Sequence, residues 1–253
     1  MGDDTRRHFL LRLVAAAVAL ALIVTVGVFI AWRIAVKNSA TVSLEISQHR
    51  VSKAEFAYAL NTVRNEVIQE TAGKGSSVSK DYWESEAPGS PTAKAVDRAI
   101  EVIRQRLGVY EIAVEAGIVD SASWDAITDR MSRENAAREQ KKTAGQIVHG
   151  NPNYTLETFI DTEMRSIKQS YTSNTENPGM SPTENDIQRY YDNHEWTVSE
   201  DGSPATLDQV RANVVQEYRY SRYDELVQQR VKNQDIKKDL AQLRTYASSQ
   251  LSE

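Results

Sequence analysis

The stretch SPTAKAVDRAIEVIRQRLGVYEIAVEAG, residues 90 to 117, carries the strongest helix signal in the chain. Proline is tolerated in the first turn of a helix, where its missing N–H would have no partner, so we place the helix start at Ser90-Pro91. Apolar residues then recur every three or four positions, which puts them on one face of a helix: Val96, Ile100, Ile103, Leu107, Tyr110 and Val114. The pattern predicts a long core helix that ends at Gly117.

Further helices are predicted on both sides of this one. Capping boxes, in which the first side chain accepts a backbone N–H and the fourth reaches back, mark three starts: Ser52 to Glu55, Ser181 to Glu184 and Thr206 to Gln209. Another helix carries apolar residues in register from Leu156 to Tyr171. The segment from Ser121 to Gly145 is also helical in pattern but polar all round beyond Met131, which is typical of a projecting arm.

A strand is predicted just before the first capping box. The letters VSLEI, from Val42 to Ile46, alternate apolar and polar residues with the period of a half-buried strand. A strand this short needs a partner. The fold class expected from the residues is therefore mostly α with a small β component.

Composition excludes several kinds of function. The chain has 253 residues, no cysteine and four histidines, so thiolate metal sites, disulfides and a cysteine nucleophile are ruled out. Its net charge of -5 offers no basic excess for nucleic acid. The histidines lack metal-ligand spacing, and no phosphate-binding loop or hydrolase motif is present. We expect no catalytic residues, no metal and no cofactor.

The apolar residues of the N-terminal region form one uninterrupted run. Leu13 to Trp32 is 20 residues long without a charged side chain, about the length that spans a bilayer. We predict a cytoplasmic tail at 1–12, a transmembrane signal anchor at 13–32 and an exported domain at 38–253. A buried core helix and a cleaved signal peptide are the alternatives, and the excess of arginine before the span favours a cytoplasmic N-terminus only slightly.

Aromatic side chains are concentrated in the last third of the chain. Tyrosine combines apolar area with a polar tip, which suits surfaces that hold other polypeptides loosely. The candidate contacts with a bound polypeptide are Tyr190, Tyr191, Trp196 and Tyr220. Tyr190 also lies on an apolar stripe, so a role in the core is its alternative.

The order of elements resembles that of a known family. The motifs are SKAEF at 52–56, EAGIVD at 115–120, HGNPNYTLETF at 149–159, SPTENDIQRYYDNH at 181–194, TLDQVRANV at 206–214 and YDELVQQRV at 223–231. Together they resemble the chaperone domain of the SurA/PrsA-type peptidyl-prolyl isomerases, exported foldases of bacterial envelopes. The resemblance implies that the strand at 42–46 pairs with a C-terminal strand near 233–237 in a two-stranded unit.

The resemblance also implies what is missing. In that family a parvulin isomerase domain is inserted after the helix that matches 182–194, whereas here only 195–205 separate it from the next helix. Isomerase activity is therefore not expected. The first functional hypothesis is a membrane-anchored chaperone for unfolded or secreted polypeptides. The alternatives are a dedicated assembly subunit that docks onto one partner protein and an enzyme of unrecognised type.

Overall fold

The computed structural model describes residues 41–148, 150, 153–198 and 202–252. These residues form three strands, seven α-helices and a 3-10 turn at Lys80–Trp83. The elements are β1 (Thr41–Ile46), β2 (His49–Ser52), α1 (Lys53–Thr71), α2 (Pro91–Glu115), α3 (Trp124–Thr143), α4 (Leu156–Ser173), α5 (Glu184–Asp192), α6 (Leu207–Lys232), β3 (Ile236–Lys238) and α7 (Leu240–Leu251).

The sheet has three antiparallel strands in the order β2-β1-β3, so the predicted two-stranded pairing is wrong in strand number. Leu44 lies opposite Lys238, which brings the first and last segments together. The missed strand, β2, follows β1 through a tight turn at Ser47 and Gln48, whose φ angles are 47° and 71°. Residues other than glycine and asparagine rarely adopt this conformation, and the turn therefore lacks the usual sequence signal of a hairpin.

The predicted transmembrane helix and single-pass membrane localisation are corrected. No helix in the part of the chain that the structure describes is long and apolar enough to cross a membrane. Even α2 and α6, the longest of these helices, carry charged residues throughout their length. The predicted span at 13–32 and the tail at 1–12 lie outside the described residues.

Helix α2 is the central element, and its two halves belong to two hydrophobic cores. Its first half packs with the sheet, α1 and α7, where Ile100 and Ile103 are buried. Its second half packs with α3, α4 and α6 around Tyr110. The predicted stripe is confirmed from Val96 to Tyr110, whereas Val114 near the helix end is 37% exposed.

A third, smaller core joins α5 to the start of α6. It contains Ile187, Ala205, Val210 and Val214. We call α5, the connection 193–206 and the first two turns of α6 the α5 lobe. The predicted capping box at Ser181 is displaced: Thr183 is the N-cap of α5, and Asp186 reaches back to it.

The polar helix α3 is held to the body at its beginning and near its middle. Trp124 and Ile127 are buried in the second core. Farther along, the Asn135 amide donates to the carbonyl of Tyr154 at 3.0 Å, and Arg138 donates to the Tyr154 hydroxyl at 2.6 Å. Beyond Arg138 the helix is exposed, as expected for an arm.

Candidate functional site

A groove of about 430 Å³ lies between α1, α2 and α4. Residues spaced by three or four positions share one face of a helix, and each of the three helices turns such a face toward the groove. The apolar lining consists of Tyr58 and Val63 from α1, Val102 from α2, and Ile160 and Met164 from α4. Val63 and Ile160 are buried at its base, whereas the other three are partly exposed. The groove thus offers an apolar surface that the fold leaves open.

Charged side chains surround this apolar lining. Glu66, Glu101 and Asp161 contribute carboxylates, and each of these residues is exposed. The guanidinium of Arg98 also lines the groove, but it is ion-paired with Glu66 and Glu70. The groove is therefore lined by three carboxylates and one partly exposed cation, which is paired with one of them, Glu66.

A buried charged network lies at one end of the groove. Arg106 also lines the groove, yet it is 3% exposed and forms an ion pair with Glu55, which is 1% exposed. The same carboxylate lies 2.9 Å from Nε2 of His49 and accepts the backbone N–H of Ser52 at 3.4 Å. Glu55 therefore caps α1, neutralises Arg106 on α2 and contacts β2.

Aromatic rings support this network. The Arg106 guanidinium lies 4.8 Å from the centre of the Trp124 ring, a cation–π arrangement. The Tyr58 ring lies 5.2 Å from Trp124. Burial raises the pKa of the Tyr58 hydroxyl above its ordinary value, and it stays protonated at neutral pH. The α1 wall of the groove is thus fixed by packing against α3.

The α4 wall is fixed by a second network. The Tyr110 hydroxyl donates to Glu163 at 2.6 Å, and Nε of Arg130 donates to the same carboxylate at 2.7 Å. Burial, followed by the bond to Glu163, raises the pKa of Tyr110. One carboxylate on α4 is therefore tied to both α2 and α3.

Three of the four predicted contact residues lie together in the α5 lobe. The ring centres of Tyr190 and Trp196 are 6.4 Å apart. The Tyr191 hydroxyl donates to the carbonyl of Ala205 at 2.5 Å, and the Trp196 indole donates to the carbonyl of Tyr191 at 3.2 Å. These bonds close the lobe, so Tyr191 and Trp196 have internal structural roles while remaining partly exposed.

Tyr220 does not join that group. Its ring lies 5.1 Å from the ammonium of Lys168 on α4, and its hydroxyl accepts from the Gln216 amide at 3.0 Å. Tyr190 instead lines a cavity of about 360 Å³ between the lobe and the body, together with Tyr218 and His194. The His194 ring stacks on Tyr190 at 4.1 Å.

Sequence reasoning missed the groove. Val63, Ile160 and Met164 fit the apolar stripes of their helices, and such stripes usually face a core. Tyr58 and Val102 lie beside those stripes, and such surplus apolar residues are the available signal for a second, open face. The carboxylates at the mouth could not be distinguished from ordinary surface charges.

No group of three or more histidine or acidic side chains within the described ranges could hold a metal ion.

No family model matches the chain. No solved structure matches it either. A curated protein named chaperone for lacto-N-biosidase, from Bifidobacterium longum subsp. longum, is 35% identical over 158 residues. The match covers 62% of this chain, and it spans little more than half of the relative, 56%. The similarity is to a chaperone-type protein and does not single out the SurA/PrsA type.

Proposed function

We propose that this protein is a dedicated chaperone or assembly factor for one partner protein, with a glycosidase as the first class to test. The observation that carries the proposal is the 35% identity to a chaperone whose name specifies a single enzyme, lacto-N-biosidase. A dedicated partner therefore agrees better with the comparison than general binding of unfolded chains does.

The groove between α1, α2 and α4 supports the proposal. Its partly exposed Tyr58, Val102 and Met164 provide apolar surface for a segment that the partner has not yet buried. Apolar grooves rimmed by polar residues are typical protein interaction sites. No enzymatic activity is part of the proposal.

The proposal also includes a specific architecture and a set of secondary client contacts. The pairing of β1 with β3 supports a SurA/PrsA-type architecture, because that family joins its first and last segments in the same way. Residues 193–206, between α5 and α6, are too few for a parvulin domain. The partly exposed rings of Tyr190, Tyr191, Trp196 and Tyr220 are proposed as secondary client contacts.

The test is a refolding experiment with two clients. The full chain is mixed with chemically unfolded lacto-N-biosidase or with an unrelated aggregation-prone enzyme, and recovered activity is measured. The proposal predicts a clear gain for lacto-N-biosidase and little for the unrelated enzyme. Equal gains would support a general chaperone instead. No gain for either client would contradict a chaperone role.

A further inference from the structure

We propose that the groove between α1, α2 and α4 binds a short apolar segment of the client that is flanked by lysine or arginine residues. This inference rests on the proposed function and deepens it, because it specifies the chemistry that the partner must present. The chemistry of the bound segment is inferred from two properties of the groove, its apolar lining and the charged residues around its opening.

The lining requires an apolar occupant. Val63 and Ile160 form the base, and Tyr58, Val102 and Met164 leave apolar area open to solvent. Methionine adapts its shape to different apolar partners. The volume of this open groove, about 430 Å³, is in the size range of small ligand-binding pockets. Burial of leucine- or valine-sized side chains there is favourable in proportion to the apolar area removed from water.

The mouth requires cationic flanks. Glu66, Glu101 and Asp161 are placed around the opening, on three different helices. Arg98, the partly exposed cation among the lining residues, is already paired with Glu66 and Glu70. Glu101 is paired with Arg104 at 2.9 Å, and the same guanidinium donates to the carbonyl of Val231. Lys94 also pairs with Glu70, so four carboxylates, those of Glu66, Glu70, Glu101 and Asp161, face three cations among the described residues around the opening. An approaching lysine or arginine therefore meets a net negative charge, which favours its binding and disfavours an acidic segment.

The walls of the groove are preorganised. Glu55 and Arg106 lock α1 to α2, and Glu163 locks α4 to Tyr110 and Arg130. A site whose walls are held in place before binding loses less conformational entropy when it is filled. A short segment is therefore sufficient to occupy it.

Labelled peptides test the preference directly by fluorescence anisotropy with the full chain. The first peptide has an apolar centre of leucine, valine and methionine between pairs of lysines. A second has glutamates in place of the lysines, and a third keeps the lysines around a glycine-serine centre. We expect the first peptide to bind on the order of tenfold more tightly than either other at low salt, and its advantage over the second to shrink at high salt.

Charge-reversal variants locate the binding. In the double variant Glu66→Lys/Asp161→Lys, the preference should invert toward the glutamate-flanked peptide, because the charge at the mouth changes sign. Glu217→Lys on α6 is the matched control, since Glu217 is exposed and does not line the groove. An unchanged preference in the double variant would overturn the proposal.

The same proteins are then compared in the lacto-N-biosidase refolding assay. A further variant, Met164→Glu, places a charge in the apolar lining. If wild type restores enzyme activity, but peptide binding is the same in wild type, in the double variant and in Met164→Glu, the groove proposal fails and the chaperone role stands. If the peptides bind with the predicted preference but no activity is restored, the groove proposal stands and the proposed function fails. The oligomeric state is measured by sedimentation. If wild type is a dimer and Met164→Glu is a monomer, a second copy of the chain fills the groove, and this result would also overturn the proposal.

Discussion

At the scale of single residues, Glu55 connects three elements, α1, α2 and β2. Its carboxylate belongs to the capping box of α1, to the ion pair with buried Arg106 and to the contact with His49 on β2. A charge that is almost fully removed from water is stable only while its partner is present. The neighbourhood of the groove is therefore sensitive to this one residue.

Glu55→Gln keeps the side-chain volume but leaves the Arg106 charge without its counter-charge. We expect the free energy of unfolding to fall by about 3 to 5 kcal/mol, measured by urea denaturation. Glu184→Gln is the control, because its pair with Arg211 is on the surface and exposed ion pairs contribute little. Equal stability of Glu55→Gln and wild type would refute the structural role of the network.

Two buried tyrosines are expected to respond in opposite ways to loss of the hydroxyl. No described residue bonds to the hydroxyl of Tyr223, which is 2% exposed, whereas that of Tyr110 is bound to Glu163. Tyr223→Phe should leave stability unchanged or raise it by up to about 1 kcal/mol, and Tyr110→Phe should lower it by about 1.5 to 3 kcal/mol. Thermal or urea unfolding at neutral pH distinguishes the two. A destabilised Tyr223→Phe variant would show that the hydroxyl has an unrecognised partner.

The same tyrosine predicts a loss of stability in alkali. Burial raises the pKa of Tyr223 in the folded protein above the value of about 10 found in unfolded chains. The folded state then holds the proton more tightly, so this contribution is complete below pH about 10 and is lost as the pH rises from there toward the raised pKa. Tyr223→Phe should therefore show a shallower decline of the urea midpoint above pH 10 than wild type. An identical decline would contradict the assigned burial.

At the scale of elements, α2 determines how the two main cores fit together. Gly108 lies where α2 crosses α6, and a Cβ at this position would approach a methyl carbon of Val231 to 2.8 Å and the carbonyl of Val227 to 3.6 Å. Glycine weakens a helix, so its presence here reflects the close approach of the two helices rather than helix propensity.

Gly108→Ala should therefore destabilise the protein despite the better helix propensity of alanine. Overpacking typically costs about 1 to 3 kcal/mol, which exceeds the gain of up to about 1 kcal/mol from propensity. Val231→Ala removes the opposing methyl groups, so the double variant should be more stable than the sum of the two single effects predicts. Strict additivity in urea denaturation would contradict the close contact.

How far the sequence predicts the elements depends on how local their signals are. The helix starts at Ser52, Ser90 and Thr206 follow from side chains within three residues of the cap, and all three are confirmed. Strand β2 was missed because its turn uses Ser47 and Gln48 in an unusual conformation. The groove was missed because it depends on how three helices are spaced, and no single helix records that spacing in its own pattern.

At the scale of the whole molecule, the two main cores make one body from which the α5 lobe and the end of α3 extend. The groove lies on this body. Arg106, one of its lining residues, packs over the ring of Trp124. The predicted contacts at Tyr190, Tyr191 and Trp196 lie in the lobe. We therefore expect variants of the groove to affect client binding more than alanine substitutions of these three aromatic residues, measured by anisotropy with the lysine-flanked peptide. A larger loss from the aromatic substitutions would move the main client site to the lobe.

We propose above that this protein assists the folding of one dedicated partner protein. The most direct test of this proposal is the yield of active lacto-N-biosidase, refolded from denaturant, as a function of the amount of full chain added. We predict that the yield rises as more chain is added and then levels off above the yield of the enzyme alone. A yield that never exceeds that of the enzyme alone at any ratio would contradict the proposal.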